Sequence, residues 1–190
     1  MTDASQPPSA RDREPSDPLV GTLVAGRYRV RERLGEGGMG LVYLAEHEAI
    51  EKPVALKVLK AEYSTRPDMV ERFQREAISA SRIVHPNLLE VFDFGQLDDG
   101  RFFLAMERLE GEDLAEVLAR EGALDPARAV QIALPICRAL EAAHAKGVVH
   151  RDLKPENVFL HRAGVETVVK VVDFGVAMLH DPGEPVRRRL

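Results

Sequence analysis

RYRVRERLGEGGMGLVYLAEH, residues 27–47, decides the fold. Residues 27–35 alternate apolar and polar, as a half-buried strand does, and 40–47 do so again. Between them lie glycines, which give the backbone its freest turn. A strand, and not a helix, follows those glycines. A dinucleotide-binding fold needs the helix there, so an antiparallel hairpin is the better reading. Taken alone, the glycines fit a flexible hairpin tip about as well as a turn whose exposed N–H groups approach phosphates closely.

Outward from this hairpin the pattern stays β-rich and then turns helical. PVALKVLK (53–60) is a third strand, completing an antiparallel meander. Residues 66–84 have helical spacing, with Met69, Val70, Phe73, Ala77, Ala80 and Ile83 or Val84 on one face. His85-Pro86-Asn87 ends that helix, because proline cannot continue it. LLEVFDFG (88–95) and RFFLAMERL (101–109) read as two strands across an Asp-Asp-Gly turn. Residues 111–122 read as a short helix closed by Gly122. Asp125-Pro126 then opens a long apolar helix that reaches Lys146, with a kink or lost regularity expected at Pro135. Short strand pieces follow around 158–160 and 167–172. The fold class is therefore α+β, an antiparallel β-sheet with one helix meeting a mostly helical part near residues 107–111.

Composition narrows the function classes. Apolar residues make up 45% of the 190 and charged residues 30%, as in ordinary globular chains. The net charge is −5 with no basic stripe, so nucleic acid is not expected as a partner. No apolar run reaches the length of a membrane span, and the N-terminus has no signal-like stretch. Residues 1–20, rich in Pro, Ser, Asp and Arg, are expected to form a disordered leader. The single cysteine, Cys137, is expected to be a buried core thiol. Its usage fits a reducing, cytoplasmic setting.

The chemistry concentrates in a few places. Lys57, in Val54-Ala55-Leu56-Lys57, shares a strand face with Ala55 and would lie under the glycine-rich turn, where a cation can hold phosphates. Glu76, on the helix, makes sense as the carboxylate that orients Lys57. HRDLKPEN (150–157) places many charges in fixed order. Asp152 can accept or orient a hydroxyl proton, and Lys154 can neutralise a phosphoryl group. Asn157 and Asp173 offer oxygen ligands of the kind a hard cation shares with substrate phosphates.

GEGGMGLV, VALK, a helical glutamate, HRDLKPEN and DFG stand here in the order of the protein kinase signature set. The chain resembles the bacterial eukaryotic-like serine/threonine protein kinases from about Gly26 to Asp173-Phe174-Gly175. The resemblance implies a kinase-like fold, ATP and Mg²⁺, or Mn²⁺ in its place, and a protein substrate with a Ser/Thr acceptor. Leu34, Gly35, Glu36, Gly37, Gly38, Met39 and Gly40 would enclose the nucleotide, with the glycines over its phosphates. Val42 and Ala55 would line adenine from above and Phe159 from below. Met106 resembles the gatekeeper, and Glu107 to Leu109 the hinge whose backbone reads adenine. Asp113 would meet the ribose. Lys57, paired with Glu76, would contact the α/β-phosphates. Asp152 resembles the catalytic base, Lys154 marks Ser/Thr specificity, and Asn157 and Asp173 resemble the metal ligands. His144, His161 and His180 gain no role.

The family pattern continues past DFG with A-P-E, whereas VAMLHDPGEPVRRRL holds neither that motif nor any Ser, Thr or Tyr. The expectation is a kinase cut short. It would have an N-lobe over 21–107, a partial C-lobe over 108–180 and a flexible tail over 181–190. The apolar face of the long helix would then stay exposed, unless a partner completes the lobe. Three readings stay open on the residues: an active kinase, a nucleotide-binding regulatory module without transfer, and a truncated gene remnant. The motif set favours the kinase.

Overall fold

The computed structural model describes residues 17–173 and 178–179. Its first part is a six-stranded antiparallel sheet. The strands are β1 (Leu23–Val24), β2 (Tyr28–Glu36), β3 (Gly40–His47), β4 (Lys52–Leu59), β5 (Val91–Gln96) and β6 (Phe102–Glu107), in the order β1-β2-β3-β4-β6-β5. The sheet curls enough for β2 to reach β5, where the Tyr28 hydroxyl donates to Asp93 Oδ2 at 3.1 Å. Inside the curl lie Tyr43, Val54, Leu56, Val58, Phe103 and Ala105 with Tyr28 and Val30.

Residues 17–20, expected in the disordered leader, are folded onto this core. Leu19 is buried within it, and Asp17 Oδ2 accepts from the Tyr43 hydroxyl at 2.9 Å. A buried phenol must find an acceptor, and Asp17 supplies it. Residues 1–16 lie outside the described residues.

The other sheet face carries α2 (Pro67–Ser81), preceded by the short α1 (Ala61–Ser64). Phe73 and Ala77 of α2 pack on Leu59 and Leu104. Proline at its first position is tolerated because that N–H has no helical partner. The helix stops at Ser81, short of the expected 84, and Val84 is exposed. The fifth strand likewise starts at Val91, not at residue 88. Leu88 and Leu89 are drawn instead towards a later strand, with Leu89 N–H donating to the Val171 carbonyl at 3.1 Å.

The second part departs from the sequence pattern at 111–113. These residues are not helical but form β7 (Gly111–Asp113), paired with β9 (Val158–Ala163). Gly111 makes this possible: a Cβ there would lie 2.1 Å from the Leu160 carbonyl oxygen, at a φ of +140°. Helix α3 (Leu114–Glu121) begins only afterwards, with a capping box between Asp113 and Glu116. Helix α4 (Pro126–Ala145) is capped by Asp125 and continues as one helix through Pro135, the place of the expected kink or lost regularity; the helix is not interrupted there. Pro135 leaves the Gln131 carbonyl without its helical donor, and Gln131 is an exposed residue. The strand pieces near 158 and 167 are one hairpin, β9 with β10 (Glu166–Val171). The short β8 (Val148–Val149) pairs with β11 (Met178–Leu179).

Helix α4 buries Ile132, Ala139 and Ala143 but leaves Val130 and Leu134 more than half exposed. Cys137 falls on that outer face and is exposed, not the core thiol expected. The apolar spacing of α4 could not show which of its faces meets a neighbour. His180 and the tail expected over 181–190 lie outside the described residues.

Candidate active site

The glycine-rich turn closes β2 onto β3, with Gly37 N–H donating to the Gly40 carbonyl at 2.9 Å. Gly40 has a steric reason as well. A Cβ there would come within 2.8 Å of the Val58 carbonyl oxygen and 3.6 Å of Lys57 Cγ. The turn therefore lies directly on the part of β4 that carries Lys57, whose cross-strand partner is Val42.

Lys57 projects from β4 towards α2 and donates to Glu76 Oε1 at 2.7 Å and to Asp173 Oδ1 at 3.4 Å. The Lys57 and Glu76 side chains are 14% and 5% exposed, so this is a buried pair. Burial alone would push the Lys57 ammonium down, but the Glu76 and Asp173 carboxylates outweigh it and hold it above its ordinary value. Burial pushes the Glu76 carboxyl up, against the pull of Lys57. Glu76 Oε2 is buried with no hydrogen-bond partner among the described residues.

A second cluster forms just after β8. Asn157 is buried and donates its amide to the Asp152 backbone carbonyl at 2.8 Å and to Asp152 Oδ2 at 3.3 Å. Lys154 Nζ lies 3.1 Å from the same Oδ2. The hydrogen bond and charge of Asp152 hold the Lys154 ammonium above its usual range. The carboxylate is thus turned by two donors on one oxygen.

The two clusters are joined through the backbone. Val172, next to Asp173, donates its N–H to the Asn157 carbonyl at 3.0 Å. Its own carbonyl lies 3.0 Å from His150 Nε2. His150 Nδ1 accepts the Asp152 N–H at 3.3 Å, so the ring proton sits on Nε2 and is donated to Val172. Arg151 and Asp173 both stand at φ +63°, a conformation costly for residues with a Cβ. Such backbone is kept where side-chain direction matters. Two basic side chains (Lys57 and Lys154), three acidic ones (Glu76, Asp152 and Asp173), the Asn157 amide and the glycine-rich turn thus gather between the sheet and the second part of the chain.

Residues 28–189 match the family described as the protein kinase domain. The chain belongs to the protein kinase family. It is 47% identical over 167 residues to the serine/threonine-protein kinase pkn3 of Myxococcus xanthus, covering 87% of this chain and 30% of that kinase. It is 46% identical over 161 residues to PknH of Mycobacterium tuberculosis, covering 85% of this chain and 25% of that one. A crystal structure of the Mycobacterium tuberculosis PknI kinase domain aligns with a TM-score of 0.71 at 36% identity, over 84% of this chain and 64% of that domain. The chain thus spans less than a third of the length of these two full-length relatives. Its fold is the kinase fold, with the curled antiparallel sheet as N-lobe.

The other residues expected around a kinase nucleotide fall into distinct places. Ala55 pairs with Met106, and both lie on the sheet face that also carries Lys57. Phe159 pairs across strands with Asp113. Asp113 Oδ1 accepts the Glu116 N–H at 2.9 Å, so one of its oxygens caps α3. Leu34, Gly37 and Gly38 are exposed at the turn, and Gly35, opposite Val42, is half-buried. The Glu36 carboxylate is held by Lys60 and Arg33, each at 2.5 Å. Met39 packs with Leu59 and Phe73 against α2. Leu109 is half-buried beyond β6.

Two residues of this kinase site carried no assigned role in the sequence. His150 is 2% exposed and holds Asp152 and Val172 together. Its only signal was its place at the head of HRDLKPEN. Lys170 is buried on Glu107. Its signal, a lysine inside the apolar run VVKVV, was weak. His161, which gains no role in the sequence, accepts the Glu110 N–H on Nδ1 at 3.0 Å. A cavity of about 400 Å³ opens beside Glu107, between Lys52, Phe92, Arg108 and Arg162, but includes neither cluster.

Proposed function

We propose that this chain carries the nucleotide and phosphoryl-transfer site of a serine/threonine protein kinase, moving the γ-phosphoryl group of ATP to a protein hydroxyl. The observation that supports it most is the Lys57–Glu76 pair meeting Asp173 at 3.4 Å, one residue from the Val172–Asn157 backbone bond. That contact supports the reading because it brings Lys57 to Asp173, and the backbone bond beside it ties Asp173 to the loop that carries Asp152 and Asn157.

Each residue then has a task. The turn from Leu34 to Val42 covers the phosphates, with Gly40 allowing close backbone approach. Lys57 binds phosphate oxygens and is aimed by Glu76. The backbone from Glu107 to Leu109 reads adenine, between Val42 and Ala55 above and Phe159 below, and the second Asp113 oxygen meets the ribose. Asn157 and Asp173 would hold Mg²⁺, or Mn²⁺ in its place. Two protein oxygens suit a cation whose other ligands are phosphate and water. When bound, the metal neutralises charge on the phosphates.

Asp152 accepts the acceptor hydroxyl's proton as the new O–P bond forms and the β–γ bridging P–O bond breaks. Lys154 offsets charge on the moving group. The substrate class is protein Ser/Thr. The site belongs where ATP is plentiful, on the cytoplasmic side. Among the described residues no helix is long and apolar enough to cross a membrane.

The test is thermal unfolding of the purified chain. Mg·ATP at about a hundred times its Kd should stabilise it by roughly 2.7 kcal/mol. ATP without Mg²⁺ should do much less. Asp173→Ala should abolish the metal-dependent part; if it leaves that part intact, the assignment is wrong. Labelling of a mixed Ser/Thr acceptor by the wild type, lost in Asp152→Asn, tests transfer separately.

A further inference from the structure

Lys170 lies in β10, in a run where a strand lysine would ordinarily turn to water. It is instead 9% exposed. Its Nζ donates to Glu107 Oε1 at 2.7 Å and Oε2 at 2.9 Å, and to the Leu88 carbonyl at 3.3 Å. Glu107 is held from the other side too. Its Oε1 accepts the Glu90 N–H at 2.9 Å, and its own N–H donates to the Glu90 carbonyl at 2.9 Å. The first residue beyond the gatekeeper position is thus clamped between a backbone bridge and a buried ammonium.

The other end of the clamp is also at the site. Lys170 pairs across the hairpin with Phe159. Its strand leads directly into Val172 and Asp173. Asn87 fixes that strand against the N-lobe, donating to the Val169 carbonyl at 2.8 Å and accepting the Val171 N–H at 2.8 Å. A buried ion pair is a poor source of stability, because desolvating both charges offsets most of their attraction, and an apolar side chain would serve as well. What the pair supplies is a fixed distance.

We propose that Lys170 is a positioning residue of the nucleotide site: its ion pair with Glu107 sets the hinge backbone against the β9–β10 hairpin, which carries Phe159 on β9 and leads from β10 to Asp173. The adenine end and the metal end are thereby kept at one spacing. This rests on the nucleotide reading above.

Adenosine and Mg·ATP are the probes, titrated calorimetrically against the purified chain. Adenosine meets only the adenine and ribose contacts. Lys170→Met should weaken adenosine by a factor of roughly ten or more, since small misplacements of a binding group are costly. Mg·ATP should lose more than adenosine, so the ATP-to-adenosine affinity ratio should fall, because only ATP spans from the hinge to Asp173. Lys170→Arg, which keeps the pair, should restore most of the affinity. Glu107→Gln keeps an acceptor for the Glu90 N–H but removes the charge, and should copy Lys170→Met. It also serves as the readout if Lys170→Met does not fold. Variants that melt earlier yet bind adenosine like the wild type would make Lys170 merely structural and overturn the proposal. A wild type that binds neither probe would overturn the nucleotide reading itself, and this inference with it.

Discussion

Lys57 and Glu76 meet at 2.7 Å across the gap between β4 and α2, and the same ammonium touches Asp173 from the far side of the cleft. One cation thereby ties the sheet, the helix and the segment at Asp173. The pair has little access to water, so its two charges depend on each other. That dependence can be measured without any ligand.

Lys57→Met should destabilise the chain by about 3–5 kcal/mol at neutral pH, the usual cost of leaving one buried charge unpaired. The double variant Lys57→Met/Glu76→Leu should recover most of that. The loss should also depend on pH. Burial already raises the Glu76 carboxyl above 4.5, and without Lys57 nothing offsets it. The folded form then holds the proton more tightly than the unfolded form. Its stability is greatest below 4.5 and falls as pH rises through the raised value. Urea unfolding from acid to neutral pH should show the variant closest to wild type at the acid end. A loss that is flat with pH would mean Glu76 is not the buried partner.

Much of this arrangement was legible in the sequence, and the reasons it was not fully so are local. Alternation exposed the strands of the sheet because each buries one side more deeply than the other. The spacing of Phe73, Ala77 and Ala80 exposed α2 for the same reason. Gly111–Asp113 was hidden because a short strand carries no period, and its partner lies far along the chain. Asp17 and Leu19 sit in polar, proline-rich surroundings, and only the hydroxyl of Tyr43 and an open edge of the core call them in. Lys170 was invisible because nothing in a strand lysine tells whether a carboxylate waits behind it. The site itself was legible as an ordered set of motifs. Its connections through His150, Asn157 and Val172 were not, since backbone carbonyls leave no mark in a sequence.

The glycines of the turn between β2 and β3 should separate cleanly by sterics. At Gly40 an added Cβ meets the Val58 carbonyl oxygen at 2.8 Å and its carbon at 3.4 Å, and backbone cannot yield cheaply. Gly40→Ala should cost about 1–3 kcal/mol, as overpacking does. At Gly38 the same Cβ has nothing within 4 Å. Gly38→Ala should leave stability within about 0.5 kcal/mol of wild type. Thermal melts of the two variants check this, and equal melting temperatures would show that the turn does not rest on β4.

Tyr43 offers a test of the folded segment ahead of β1. Burial, with the hydrogen bond to Asp17 and the charge of that carboxylate, pushes its phenol up to about 12 from an ordinary value of 10.0. The folded form keeps the proton after the unfolded form has lost it. Tyr43 therefore contributes stability that is complete below pH 10.0 and disappears as pH climbs through about 12. Tyr43→Phe should lose about 1 kcal/mol with the hydrogen bond at neutral pH. It should also show a shallower alkaline decline in unfolding free energy. Tyr28, raised by burial and by Asp93, gives a similar decline in both proteins, so the difference between them isolates Tyr43. Asp17→Asn keeps an acceptor but removes the charge, so phenolate absorbance should appear at lower pH than in the wild type. Coincident titrations of wild type and Asp17→Asn would detach Asp17 from Tyr43, and with it the packing of Leu19 against the core.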